Sequence, residues 1–213
     1  MRAPVTHDSI AILKKELEVF RAISPRSIEG QVSAAGFRCR HCAKCCSGRF
    51  GDNTVTIFPS EIRAIMAVSG SGWFDVARPH ESGDVDACGV IHTFEWVLRK
   101  KENGDCAFLG GGRCAIYDLR PLICRTYPMR LEGEELELYE CDGLGTGATD
   151  NAPDLACTLV KRQIAETAEM ISLLEKLDAM PEGAPASGRL YAVHDGEGTR
   201  MVVEKADGSF SFL

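Results

Sequence analysis

Four cysteines stand within eight residues of the stretch "FRCRHCAKCCSGRF", at Cys39, Cys42, Cys45 and Cys46. The spacing is Cys-x2-Cys-x2-Cys-Cys, set among Arg, Lys and Gly. Thiols this dense can pair as disulfides, attack as nucleophiles or ligate a soft metal. Four more follow in order. Cys106, Cys114 and Cys124 belong to "CAFLGGGRCAIYDLRPLICRTYP", and Cys141 opens "CDGLGTG". All eight are expected in turns or at strand ends, where small residues let backbone wrap an ion. Eight is twice the four thiolates that a tetrahedral zinc or an iron–sulfur cluster takes. Nothing marks one thiol out as a nucleophile.

The bulk numbers narrow the choice. The chain has 213 residues, enough for one sizeable domain or one domain with appendages. Hydrophobic residues make up 45% and charged residues 26%, an ordinary globular balance. The net charge of -7 gives no global attraction to nucleic acid or to an anionic membrane, so neither is expected as a partner. No apolar run reaches the length of a membrane span. The opening "MRAPVTHDSIAILKKELEVF" is broken by charges and lacks the apolar stretch of a secretion signal, so a cytoplasmic location is expected. In that reducing compartment ten cysteines point to metal rather than to disulfides.

The motifs resemble the CxxCxxCC cysteine-cluster family, the YkgJ-type zinc- or iron-chelating domains. The resemblance rests on Cys39, Cys42, Cys45 and Cys46, on Cys106 through "CAIYDLRPLICRTYP", and on the Cys-x-Gly-x-Gly-x-Gly from Cys141. It spans residues 39–147 and implies metal binding more directly than a reaction. The flagellin lysine N-methylases are similar in their cysteine motif and are thought to use S-adenosylmethionine. That raises a metal-dependent methyltransferase or redox enzyme acting on a protein side chain as an alternative, and a metal carrier or interaction module as another. Enzymatic activity and oligomeric state stay open.

Two metals compete for the thiols. Cys39-x2-Cys42-x2-Cys45 resembles the three-thiol loop that ferredoxins wrap around a [4Fe–4S] cluster, whose fourth ligand is remote. Zinc more often takes Cys-x2-Cys in pairs, and Cys106-x7-Cys114-x9-Cys124 does not look like a second knuckle. The spacing favours iron–sulfur, with zinc as the alternative. Arg38, Arg40, Lys44 and Arg49 flank the first four cysteines, and Arg120, Arg125 and Arg130 flank Cys124. Nearby cations stabilise thiolates. Arg120 and Arg125 are also candidates for holding a cofactor or a substrate anion, beneath the Gly143–Gly147 loop. Cys88 and Cys157 lie outside the motifs; Cys157 is expected to be buried as a small apolar residue. His41 is expected to point away from the thiols, and His92 to be a structural strand histidine.

The positioning elements read as α+β: a small metal-organised domain of short strands and hairpins, a long helix over 154–179 and a terminal β-meander. Residues 1–180 are expected to form the metal-binding domain, and 181–213 a linker plus a β-meander appendage that either extends the main sheet or stands apart. Helical spacing of Ile10, Leu13, Leu17 and Phe20 predicts a helix over 8–22, capped by Asp8 or Ser9 and ended by "SPRS". "NTVTIF" reads as a strand, and "PSEIRAIMAVSG" as a helix with Ser60 as N-cap. Residues 70–89 read as irregular. "VIHTFEWVLRK" reads as a strand with Phe94, Trp96 and Leu98 on one face. Hairpins are expected around the three glycines at 110–112 and around Gly133. On the long helix Val160, Ile164, Ala168, Ile171, Leu174 and Leu177 form the apolar stripe, with Arg162 off it. That helix is expected to cover the metal core.

Overall fold

The computed structural model describes residues 7–149, 151–176 and 189–213. The linker expected over 181–188 and the end of the long helix expected at 177–179 lie outside the described residues.

The first helix, α1 (His7–Ala22), carries the expected apolar spacing. It has already begun at His7, so neither Asp8 nor Ser9 stands at its N-cap. "SPRS" does end it, and it also starts a second helix that the apolar spacing does not announce. In α2 (Pro25–Ala34) Ser24 is the extended N-cap residue and Pro25 stands in the first turn. Proline is well suited to that place, because its missing N–H would be unsatisfied there anyway. Ile28 and Val32, four apart, are fully buried.

The "NTVTIF" segment forms no strand and holds only a bridge, Thr56 to Val97. Then α3 (Pro59–Ser69) begins with Phe58, not Ser60, as its N-cap. Glu61 supplies the polar atom: its Oε2 accepts the Phe58 amide at 3.1 Å. Residues 70–89 are more regular than expected. They hold α4 (Trp73–Val76), β1 (Ala77–Pro79) and β2 (Asp84–Val85). Aromatic packing of Trp73 and Phe74 against Trp96 and Phe212 offsets the weak local propensity there.

"VIHTFEWVLRK" is two strands in two sheets. β3 (Ile91–Thr93) joins a five-stranded sheet, and β4 (Trp96–Leu98) pairs with β1. A two-residue break at Phe94 and Glu95 separates them, and Trp96, Val97 and Leu98 are all buried. The expected hairpins form: β5 (Leu109–Gly110) with β6 (Arg113–Cys114), and β7 (Met129–Glu132) with β8 (Glu135–Leu138). Between them lie a 3-10 turn (Tyr117–Leu119) and α5 (Leu122–Thr126). The long helix α6 (Ala152–Lys176) packs on α1, α2, α5 and β7.

The meander forms as β9 (Arg189–Asp195), β10 (Gly198–Glu204) and β11 (Phe210–Phe212). The sheet order is β11-β10-β9-β3-β2, and β9 lies parallel to β3, with Ile91 opposite Tyr191 and Thr93 opposite Val193.

Two larger apolar cores result, with a small third cluster of Val90, Leu190, Ala192 and Val203. The sheet-side core gathers Ile62, Ile65, Val76, Trp96, Tyr191 and Val202. The helix-side core gathers Ile28, Val32, Met129, Leu131, Ala156 and Leu159. Burying each of the Ile, Val, Leu and Met side chains among these contributes roughly 1.5–3 kcal/mol. Among the described residues, no helix is long and apolar enough to cross a membrane.

Candidate metal centre

All ten cysteines are free thiols. The eight in the sequence motifs, Cys39, Cys42, Cys45, Cys46, Cys106, Cys114, Cys124 and Cys141, line one cavity of about 1380 Å³. Cys88 and Cys157 do not line it, and both are exposed. Exposure of Cys157 overturns the expectation of burial: its neighbour Ala156, one position back, takes the inward place on α6.

The first four thiols ride on a loop with unusual backbone. His41 (φ 51°) and Ala43 (φ 57°), the residues on either side of Cys42, are both left-handed without being glycine. Such backbone costs about 1 kcal/mol or more per residue and persists where the surroundings impose it, often at functional loops. His41 lines the cavity too, with its ring 4.8 Å from that of Tyr117.

Each remaining cysteine is brought in by a different device. The amide of Cys106 donates to the carbonyl of Cys46 at 2.8 Å. Cys114 reaches the same region through the β5–β6 register, opposite Leu109, whose amide bonds the Cys106 carbonyl at 3.0 Å. Asn53 Nδ2 ties the Cys46 carbonyl (2.9 Å) to that of Gly104 (3.1 Å). Cys124 is carried by α5, whose first amide, that of Leu122, donates to Glu61 Oε1 at 2.8 Å.

Cys141 is placed by close backbone contact. The Arg38 amide donates to the Gly143 carbonyl at 3.0 Å, and Lys44 ion-pairs with Asp142. A Cβ on Gly143 would stand 2.4 Å from the Arg38 carbonyl oxygen, and one on Gly36 would stand 2.2 Å from that of Gly147. Both distances are closer than any side chain tolerates, so this glycine-rich segment is a backbone-to-backbone wrap. Of residues 143–147, Gly143 alone lines the cavity.

The cations sort themselves. Arg38, Arg40, Arg120 and Arg125 line the cavity, whereas Arg49 and Arg130 do not. Arg120 donates through Nε to the Tyr117 carbonyl at 2.8 Å, and its guanidinium lies 3.7 Å from the Tyr117 ring centre. Arg162, off the apolar stripe by its charge, joins them. It is 9% exposed, lines the cavity and reaches Thr126 Oγ1 at 2.9 Å. Its placement seven residues beyond Leu155, which also lines the cavity, was the available signal. His92 is a buried strand histidine, bonded to Asp86 and to His194 at 3.0 Å each and away from the thiols.

The electrostatics of the bare thiols follow from crowding. The sulfurs of Cys45 and Cys46 are 4.0 Å apart. Their hydrogen bond holds Cys45 down to about 6 and, with burial, pushes Cys46 well above the usual thiol range. Burial, reinforced by the neighbouring sulfurs, pushes Cys124 up to about 12, and it also raises Cys106 and Cys141. Only Cys45 of these is shifted toward thiolate. A bound cation would supply the charge that stabilises the rest as thiolates, with release of protons. Among the described residues, no three His, Cys, Asp or Glu side chains already converge on one point as a metal's ligands do. The thiols surround the cavity instead. Their softness, number and basic surroundings fit a thiolate-bound zinc or iron–sulfur group.

The family model of the CxxCxxCC domain, described as "Putative zinc- or iron-chelating domain", matches residues 38–143, about half of the chain. Through that stretch the chain belongs to the CxxCxxCC family. No curated protein and no solved structure matches it. The matched stretch begins just before Cys39 and ends just after Cys141, so it contains all eight cavity thiols.

Proposed function

We propose that the protein binds iron–sulfur through Cys39, Cys42, Cys45, Cys46, Cys106, Cys114, Cys124 and Cys141, as [4Fe–4S] clusters. The observation that carries this reading is that these eight thiols, and neither of the other two, line one cavity. The family description allows zinc or iron. Iron–sulfur is favoured by the Cys39-x2-Cys42-x2-Cys45 run with Cys141 brought up from a remote loop, the ferredoxin pattern. Arginines that line the cavity, Arg38, Arg40, Arg120 and Arg125 among them, offset the negative charge of a multi-thiolate cluster. Bound there, such a cluster supplies one-electron transfer. The chain's own part is to hold the thiols on short tethered loops and to surround them with guanidinium groups.

Anaerobic purification followed by metal and sulfide analysis and an absorbance spectrum tests this. The expected result is a brown protein with iron and acid-labile sulfide in equal amounts. A colourless protein that holds stoichiometric zinc and takes up no iron overturns it in favour of the zinc reading. S-adenosylmethionine is a separate question. Titration of the metal-loaded protein is expected to show no saturable binding, and saturable binding would bring in the methyltransferase alternative.

A further inference from the structure

We infer that the eight thiols are divided between two four-thiol centres: Cys39, Cys42, Cys45 and Cys141 hold one, Cys46, Cys106, Cys114 and Cys124 the other, and the Cys45–Cys46 peptide is the border. The inference rests on the reading that these thiols bind metal, and it adds which thiol serves which centre.

Three independent features of the fold draw the line. The first is tethering. The Cys39–Cys45 loop is fastened to the Cys141 segment by Arg38 to Gly143 and by Lys44 to Asp142. Cys46 is fastened in the other direction, by its carbonyl to the Cys106 amide and, through Asn53, to Gly104. The second is the core beneath each group. Cys106 and Cys114 pack against the sheet-side core. Phe37 and Leu144, which flank the first group, pack against the helix-side core. The third is the helix that carries Cys124: the Leu122 amide at the start of α5 donates to Glu61 of α3, whose Ile62 and Ile65 belong to the sheet-side core.

Cys45 is the thiol that touches both groups. Its sulfur is 4.0 Å from that of Cys46. That separation would also suit two ligands of one zinc, which is the rival assignment. Spacing and number decide for the first group. Cys45 completes the Cys-x2-Cys-x2-Cys run, and its removal from the second leaves four thiols on each side.

The experiment compares the metal content of single and paired Cys→Ser variants. Cys42→Ser, Cys45→Ser, Cys141→Ser, Cys106→Ser and Cys114→Ser are each expected to lose half the metal of the wild type, a two-fold fall. The pair Cys42→Ser with Cys141→Ser is expected to keep that half. Cys42→Ser with Cys114→Ser is expected to keep none. Loss of all metal from every single variant overturns the division. So does a Cys45→Ser that keeps half alone but loses everything when joined to Cys42→Ser. A wild type without thiolate-bound metal overturns the binding reading itself, and the division with it.

Variants that fail to fold are bypassed with unsubstituted protein. Metal is withdrawn stepwise with a chelator, and the freed thiols are alkylated and located by fragmentation mass spectrometry. Two blocks are expected to become reactive in turn, one of Cys39, Cys42, Cys45 and Cys141 and one of Cys46, Cys106, Cys114 and Cys124. A single block of eight, or Cys45 moving with Cys46, overturns the division.

Discussion

Arg162, on the long helix, donates through Nη1 to Thr126 Oγ1 at 2.9 Å, in a contact closed to solvent. Thr126 ends α5 two residues past Cys124 and bonds back to the Leu122 carbonyl at 3.0 Å. Glu166 holds the same guanidinium at 2.7 Å. Replacing Arg162 with Ala leaves a buried hydroxyl short of a partner and α5 short of its anchor. A loss of about 1–3 kcal/mol in a urea titration is expected. Faster alkylation of Cys124 in metal-free protein should accompany it.

Glu61 joins two helix starts with one carboxylate, accepting from Phe58 at 3.1 Å and from Leu122 at 2.8 Å. Glu61→Ala frees both amides, and a fall of roughly 1–2 kcal/mol in stability is expected by chemical denaturation. Glu61→Gln keeps one acceptor and should lose about half as much.

Gly143 and Gly145 offer a controlled pair. A methyl on Gly143 meets the Arg38 carbonyl at 2.4 Å, so Gly143→Ala must push the Cys141 loop away from Cys39. A cost of about 1–3 kcal/mol and loss of the metal held with Cys141 are expected. Gly145 (φ +67°) faces open space, so Gly145→Ala carries only the cost of left-handed backbone, about 1 kcal/mol, with metal content unchanged. Metal analysis of the two variants side by side checks this.

Glu197 predicts an acid response far from the thiols. Arg63 first, and Arg200 with it, hold its carboxyl down to about 2. Because the folded value is depressed, the unfolded chain takes up the proton first. The stabilisation is therefore present above the ordinary carboxylate range and is lost as pH falls from roughly 4.5 toward 2. Both partners are 40–50% exposed, so screening holds the gain below about 1 kcal/mol. Glu197→Gln should flatten the wild type's urea midpoint across that window. Added salt should shrink the difference between the two proteins.

The cavity thiols were legible because Cys at short, regular spacing between turn residues has few other uses. The β5–β6 and β7–β8 hairpins were legible for a related reason: three glycines in one case and Gly133 in the other mark the turns. Residues 23–34 were not. "SPRS" signals a stop and a start with the same letters, and the buried pair Ile28 and Val32 decides between them. Strand pairing was hidden for another reason. Whether Trp96 and Leu98 continue the strand of Ile91 depends on partners outside the segment, β1 for one and the distant β9 for the other. Arg162 was misplaced because charge argues for solvent, while its actual environment is set by Thr126 and Glu166. The backbone tether of Cys106 to Cys46 leaves no trace in residue type at all.

The parallel pairing of β3 with β9 sets an order of events in the making of the protein. Residues 91–93 leave the ribosome about a hundred residues before residues 191–193, and until then β3 has only the two-residue β2 beside it. Every cavity thiol, from Cys39 to Cys141, is therefore synthesised before the sheet that backs Cys106 and Cys114 can close. Pairing across such a separation is slow and comes late. In the interval the nascent chain carries eight reduced thiols on an unfinished support. Exposure of the growing chain to oxidant should therefore do more damage than the same exposure of the finished protein.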